Sequence, residues 1–576
     1  MRFLKGYLSG ALLIFFTSLQ AQHFDSLLIK LATDYSQEKM YLHFDRPIYN
    51  PGETIWFKAY LFTENNPSAK SKTLYTELLD ARGNIIQRKS SPIFLSSAAS
   101  SFDVPLTINS GVVYVRAYTT WMLNFDPSFL YTQAIPLTNI NGKKTNITSP
   151  DSSSFIPARQ MPVFYLQFFP EGGDLVQGVQ SRVAFKATNA TGIPINVSGN
   201  IATVRGKKIT SFTSAHDGMG TFLLQPESNE QYKALWKDPA GKEHETILPA
   251  IKPSGVVLEL NNRKNEIEFK VKRTGGASSP YLFVYVIAQT GLQQIYKAKA
   301  NLSKSLVISS VIPVTGFPAG ILQLTLFNPD NQPIAERLVF INKANDSFIT
   351  NVNTTLTDMG KRKKNVIQIE MPDTLLCNLS VAVTDADLTA TPTNDNIFSR
   401  VLLTDDIPGY INNPAYYFSS NEDSISNHLD LIMMTNGWRR FKWKDMLAGK
   451  WPTIRYPPDN YLSIEGMVSG LKEKQLLNKE LNVIVTLKNN NKQFVNTKVQ
   501  KDGSFIIPEF LFYDTARFYY QFNNDKNKSL TSRATFNIKN NLFNNTLSLR
   551  PNNELLKKMK NCTGNLLRKN CEKLRF

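Results

Sequence analysis

Side chains able to do covalent or metal chemistry are sparse in this sequence. Cysteine occurs at Cys377, Cys562 and Cys571. An internal thioester needs a C-G-E-Q run, because the sulfur must be acylated by the side chain of the Gln that closes it. Cys377 is followed by Asn378-Leu379-Ser380, Cys562 by Thr563-Gly564-Asn565 and Cys571 by Glu572-Lys573-Leu574, so none can make that bond. A zinc protease needs a pair of His one helical turn apart with a Glu base. His23, His43, His216, His244 and His428 include no such pair, and His244-Glu245 lacks its second His. No G-x-S-x-G nucleophile elbow occurs. Gly218-Met219-Gly220 has no βαβ unit around it and reads as a hairpin turn. Asp385 and Asp387 could bind Ca²⁺, but without a dense acidic loop they read as exposed carboxylates. No catalytic, cofactor-binding or metal-binding residue is assigned, no cofactor is implied, and the chain is expected not to be an enzyme.

The residues between these groups point to sheets. Phe, Tyr and β-branched residues recur in short alternating runs separated by Pro, Gly and Asn, while Ala-rich helical runs are scarce. The 576 residues exceed one core and predict several domains. Arg2 and Lys5 precede an apolar run, Leu8 to Leu19, and Leu19-Gln20-Ala21-Gln22 follows, which predicts a cleaved export signal over 1–22. No later stretch is long and apolar enough for a transmembrane helix. So few cysteines in an exported chain leave each domain to its own apolar core. Cys377, within Leu375-Leu376-Cys377, is expected to be a buried free thiol, and Cys562 and Cys571 are candidates for pairing. The net charge is +18, with concentrations at Lys361-Arg362-Lys363-Lys364 and in the C-terminal tail. This reads as solvated loops with a basic bias, or as attraction to an anionic envelope surface or acidic glycan. Export and the absence of a recognition motif argue against nucleic acid.

Tyr41 to Leu61, YLHFDRPIYNPGETIWFKAYL, is the most informative stretch. Leu42 and Phe44 alternate with Tyr41 and His43 as in a half-buried strand. Asn50-Pro51-Gly52-Glu53 reads as a turn, with Pro fixing φ at the first central position and Gly supplying φ > 0 at the second. Ile55, Phe57, Ala59 and Leu61 then line one face of a second strand, with Trp56, Lys58 and Tyr60 on the other. The run DRPIYNPGETIWFKAY resembles the opening of the second macroglobulin-like domain of alpha-2-macroglobulins. FPEGGDLVQG at 169–178 is similar to a segment of exported Bacteroidetes proteins with macroglobulin-like domains. LSVAVTDADL at 379–388 resembles the strand that precedes the bait-bearing or thioester-bearing half of macroglobulins. RVLLTDDIPGYINNPAYYF and HLDLIMMTNGWRRFKW resemble a linking region in Bacteroidetes envelope proteins. Tyr461 to Gly466 with Lys501-Asp502-Gly503-Ser504-Phe505 resembles a carboxypeptidase regulatory-like domain, a seven-stranded sandwich that often stands before a TonB-dependent receptor.

The expected architecture is all-β: tandem immunoglobulin-like or macroglobulin-like sandwiches with a short N-terminal helix and one mixed loop and helix insertion. The signal 1–22 is followed by a sandwich with its leading helix (23–137) and a linker (138–160). Two more sandwiches follow (161–253 and 254–345), then partial sandwich strands (346–389), including Val366–Ile369 and Leu379–Val383. A mixed loop and helix connector (390–455), the regulatory-like sandwich (456–540) and a basic tail (541–576), disordered or truncated, complete the chain. The helical stripe Phe24, Leu27, Leu28, Leu31 and Tyr35 is expected to pack on the first sandwich. Tyr410, Tyr416, Tyr417, Phe418, Trp438, Phe441, Trp443 and Trp451, beside Arg439-Arg440, form either a docking surface or a small inter-domain core. The resemblances imply a binding or scaffolding protein of the periplasm or outer membrane. Its expected partner is a protein, either a TonB-dependent receptor or a protease. The alternative is an endopeptidase inhibitor acting without a thioester, with 138–160 or 390–430 as bait.

Overall fold

The computed structural model describes residues 24–138, 163–343, 351–371, 377–384 and 395–543, apart from 109, 264, 277–279, 357–359, 361, 438–439, 489 and 512–515. The chain forms two compact units. One holds Met1–Ser36, Lys143–Leu379 and Pro392–Trp451; the other holds Gln37–Gly142, Ser380–Thr391 and Pro452–Phe576.

In the second of these units, alternation builds the first sandwich. Glu38–Phe44 pairs antiparallel with Thr54–Thr63, from Glu38 opposite Thr63 to Phe44 opposite Phe57. Ser97–Asp103 joins the other edge of Thr54–Thr63. Ile55, Phe57, Ala59 and Leu61 are buried, while Trp56 between them is 59% exposed. The facing sheet runs Ile85–Pro92, Thr73–Leu79, Val112–Tyr118, Tyr131–Pro136. Every residue of Thr73–Leu79 and Val112–Tyr118 is buried, on both faces. Burial on the second face is tolerated because its charges are paired. Glu77 accepts from Arg88 Nη2 (2.6 Å), Arg116 Nε (2.7 Å) and the Tyr118 hydroxyl (2.9 Å). The last sandwich sets Ser504–Phe510, Leu462–Ser469 and Thr535–Asn540 against Lys492–Lys498, Glu480–Leu487 and Ala516–Phe522. Six strands are thus described, around a core including Leu481, Val483, Val485, Phe505 and Phe522. Of the tail expected from 541 on, Phe543 is seated: its N–H donates to the Tyr75 hydroxyl (3.0 Å). Residues 544–576 lie outside the described residues.

In the other unit, two sandwiches share one plan, a three-strand sheet on a four-strand sheet. The earlier sets Met219–Leu224, Ser181–Asn189 and Phe164–Pro170 against Lys208–Thr213, Ser198–Thr203, Tyr232–Lys237 and Glu243–Ile247. The later sets Val256–Arg263, Glu266–Arg273 and Val307–Pro313 against Gln293–Asn301, Phe283–Thr290, Gly320–Phe327 and Pro333–Ile341. The connector contributes Asp423–Thr435 and Trp443–Leu447 as helices and Pro414–Phe418 as a 3₁₀ turn.

Two expectations about elements are corrected. The leading helix, 24–34, packs Phe24, Leu28 and Leu31 on Ile287, Phe327, Trp443 and Met446, in the later sandwich of its own unit and the connector, not on the first sandwich. A helical stripe specifies an apolar face but not its partner. Among the described residues Leu379–Val383 joins no ladder, and Leu379, Val381 and Val383 are exposed. A strand needs a neighbour to take its N–H and C=O groups. Asn351–Leu356 and Val366–Glu370 pair only with each other among the described residues.

Candidate functional site

Of the residues that could do chemistry, His43, His216, His244 and His428 are tied into structure. Cys377 is exposed rather than buried, because the chain around it joins no described sheet. His23, Asp385, Asp387, Cys562 and Cys571 lie outside the described residues. His244 sits within Glu243–Ile247, its Nε2 2.9 Å from Asp238 Oδ2 and its ring stacked on Trp236 at 4.6 Å. One serine–histidine contact that spacing could not reveal joins residues far apart in sequence: His43 Nδ1 is 2.6 Å from Ser380 Oγ, which also accepts from the Tyr60 hydroxyl (2.8 Å). Among the described residues no carboxylate hydrogen-bonds the other His43 nitrogen, the contact that orients the base of a nucleophile triad. Here the ring anchors the segment to the sheet. Among the described residues no group of three or more His, Cys, Asp or Glu could hold a metal ion.

The Asp45–Glu53 motif folds into a clasp. The Asp45 carboxylate accepts from the Tyr49 hydroxyl (2.7 Å) and the Trp56 N–H (2.9 Å). The Arg46 guanidinium pairs with Glu53 (3.1 Å) and lies over the Tyr49 ring at 4.8 Å. The other Glu53 oxygen accepts from the Asn50 N–H (2.7 Å), and the Glu53 N–H closes the turn onto the Asn50 carbonyl (3.1 Å). Gly52 at φ +91° supplies the left-handed position the turn requires. Burial lifts the Tyr49 phenol well above its ordinary range, and the Asp45 carboxylate adds to it.

The FPEGG segment builds a connected polar site. Pro170 ends a strand and places Glu171, 3% exposed, between the two sandwiches of its unit. Its Oε1 accepts from Arg337 Nε (3.0 Å), Arg182 Nη2 (2.8 Å) and the Leu260 N–H (3.2 Å). Arg337, equally buried, reaches Asp430 on helix Asp423–Thr435 (2.7 Å) and also donates to the Leu338 carbonyl. Burial pushes the Glu171 carboxyl up, but Arg337 and Arg182 outweigh it and hold it below the usual range. At Gly172, φ +83°, an added Cβ would stand 2.8 Å from the Leu258 backbone nitrogen. Two sandwiches and a helix thus meet at one carboxylate. Beside it a small cleft of about 90 Å³ is lined by Arg182, Asn262, Phe340, Asn427 and Asp430, among others.

A histidine pair marks the neighbouring contact between the connector and the hairpin before Met219. His216 stacks on His428 with centroids 4.1 Å apart and planes 9° apart. Tyr416 also stacks on His216 (4.8 Å), and its hydroxyl reaches His428 Nδ1 at 2.8 Å. Asp217 Oδ2 lies 3.4 Å from His216 Nε2, near enough to attract a ring charge but not placed as a hydrogen bond. Asn412 donates to Asp217 (3.1 Å). Burial, then the neighbouring His216, lower the His428 pKa, against a smaller opposing effect of Asp217. The described members of the connector's aromatic cluster divide as a core does. Tyr417 and Trp443 are buried, Trp443 packs on Phe24 and Phe327, and Trp451 stacks on Tyr35.

Residues 39–122 match the MG2 domain, which places a macroglobulin domain on the first sandwich and its clasp. A search of the curated proteins finds no match. Among solved structures, Escherichia coli alpha-2-macroglobulin in its native conformation is 10% identical, over 57% of this chain and 24% of that one, at TM-score 0.16. Salmonella alpha-2-macroglobulin reacted with methylamine is 11% identical over 59% and 25%, at TM-score 0.16. A tetra-tandem repeat from the extending region of a large adhesion protein is 10% identical over 87% and 98%, at TM-score 0.14. The chain spans about a quarter of the length of those alpha-2-macroglobulins.

Proposed function

We propose that this protein is a non-enzymatic binding or scaffolding component of the cell envelope, exported to the periplasm or outer-membrane face, which holds a protein partner, a TonB-dependent receptor. The observation that carries this reading is the Glu171 joint. A buried carboxylate bonded by two arginines, with a third element tied on through Asp430, fixes the angle between the two sandwiches of its unit. Two sandwiches held at a fixed angle present surfaces at a set distance, which is what a scaffold supplies. The macroglobulin domain at 39–122 and the regulatory-like resemblance of the last sandwich agree with it. The rival inhibitor reading needs a cleavable bait. The described part of its candidate 390–430, from residue 395 on, contributes Leu403, Ile407, Ile411 and Tyr417 to a buried core, which would shield that backbone from a protease. The other candidate, 138–160, falls outside the described residues save Thr138.

The test is cross-linking of the tagged full chain in its own envelope, followed by mass spectrometry. A TonB-dependent receptor cross-linked in the wild type, and lost when the Glu171 joint is broken, is the expected result. A protease held by cleaved chain would overturn the reading in favour of the inhibitor.

A further inference from the structure

The outer face of one sheet in the last sandwich is ordered by chemistry in a way that neither the core nor the joints use. Glu480–Leu487 runs between Lys492–Lys498 and Ala516–Phe522. Leu481, Val483, Val485 and Phe522 fill the core from one face. On the other face the register sets Phe494 and Tyr519 on either side of Ile484. Phe494 is 74% exposed and Tyr519 56%. One row along, Asn496 and Gln521 flank Asn482; one row the other way, Lys492 and Arg517 flank Thr486. An apolar row thus lies between an amide row and a basic row. The Gln521 amide nitrogen is committed to the Asp525 carbonyl (2.6 Å).

We infer that this face binds an extended acidic polysaccharide laid across the strands. The aromatic rings take the apolar faces of sugar rings. Asn482 and Asn496 can both donate and accept, as sugar hydroxyls do. Lys492 and Arg517 pair with uronate carboxylates, and no ion pair among the described residues engages either of them. Size decides against a protein partner. Three strands about 5 Å apart, with same-face rows about 7 Å apart, make a patch of roughly 300 Å² with its side chains. A stable protein partner needs about 800 Å². A linear glycan needs only a row. Among the described residues the acid of this face is Glu480, which stands beyond the amide row opposite Lys498, away from the basic row.

The test is native affinity electrophoresis of the full chain at about 0.15 M salt, where diffuse attraction to a basic protein is screened. Gels contain polygalacturonate, alginate or neutral dextran, and oligothymidylate is run as a competitor. Retardation by an acidic glycan and not by dextran is expected. It should weaken by about tenfold or more in Phe494→Ala/Tyr519→Ala and again in Lys492→Gln/Arg517→Gln, with melting temperatures unchanged, since these side chains are exposed. Retardation in neither acidic gel overturns the inference. So does retardation that survives loss of both rings, preferential binding of oligothymidylate, or concentration-dependent dimerisation through this face. None of these results bears on the envelope cross-linking above, which reads a protein partner.

Discussion

Two residues carry consequences out of proportion to their size. Gly52 sits at φ +91°, and a Cβ there would stand 2.8 Å from Leu106 Cδ2. Gly52→Val should therefore cost about 1–3 kcal/mol, from backbone strain in the left-handed region. Pro51→Ala should cost less, because it mainly frees the unfolded chain. Thermal unfolding of both variants checks the order, and an unchanged melting temperature for Gly52→Val would remove the turn as a determinant. Asp459 is the second. Its Oδ1 accepts from the Lys72 N–H (2.6 Å). Burial first, and then the charge of Glu38, push its carboxyl up to about 6. A carboxyl raised on folding favours the folded state while protonated, below its ordinary pKa, and that advantage is gone above the folded value. Asp459→Asn keeps the acceptor and removes the charge. It should stabilise by about 1–3 kcal/mol near neutral pH, and the gain should shrink towards about pH 4. A variant less stable than wild type at neutral pH would show that the charge is not the cost.

At the scale of elements, joints matter more than strands. Removing Glu171 leaves Arg182 and Arg337 with a buried charge uncompensated. Glu171→Ala should cost about 3–5 kcal/mol, the range for breaking one side of a buried pair. Urea unfolding would measure it, and a loss under ~1 kcal/mol would reduce the joint to a surface-like contact. The histidine stack ties the connector to its sandwich with a titratable bond. His428 is lowered on folding, so the unfolded chain takes up a proton first as pH falls below about 6.5. The stack's contribution is complete above that pH and declines below it. The groups facing it are His216, Tyr416 and Asp217. His428→Phe keeps the ring and removes the titration. Melting temperature should then fall less steeply between about pH 7.5 and pH 5.5 than in the wild type. Equal slopes would place the pH dependence elsewhere.

For the whole molecule, the described apolar cores each lie within one of the two units. Separate cores unfold separately unless an interface couples them. Calorimetry should resolve more than one transition, with Gly52→Val lowering one and Glu171→Ala another. A single transition moved by both would show that the units unfold together. The +18 charge bears on this scale as well, since it favours encounters with any acidic surface. Specific binding therefore has to be read from local chemistry, such as the ordered face of the last sandwich, at salt that screens the rest.

The period of two at Ile55–Leu61, the turn at Pro51-Gly52 and the macroglobulin pattern around them were legible in the residues. Each depends on neighbours a few positions apart, and there local geometry leaves one solution. The helical face of 24–34 was legible for the same reason. What lay across each face was not. The leading helix found Phe327 and Trp443, Leu379–Val383 found no ladder among the described residues, and Cys377 came to the surface, because burial is decided by partners hundreds of residues away. The same holds for every candidate site. Glu171 with Arg337, His216 with His428 and Phe494 with Tyr519 are pairs made by packing and strand register, and no spacing along the chain encodes them.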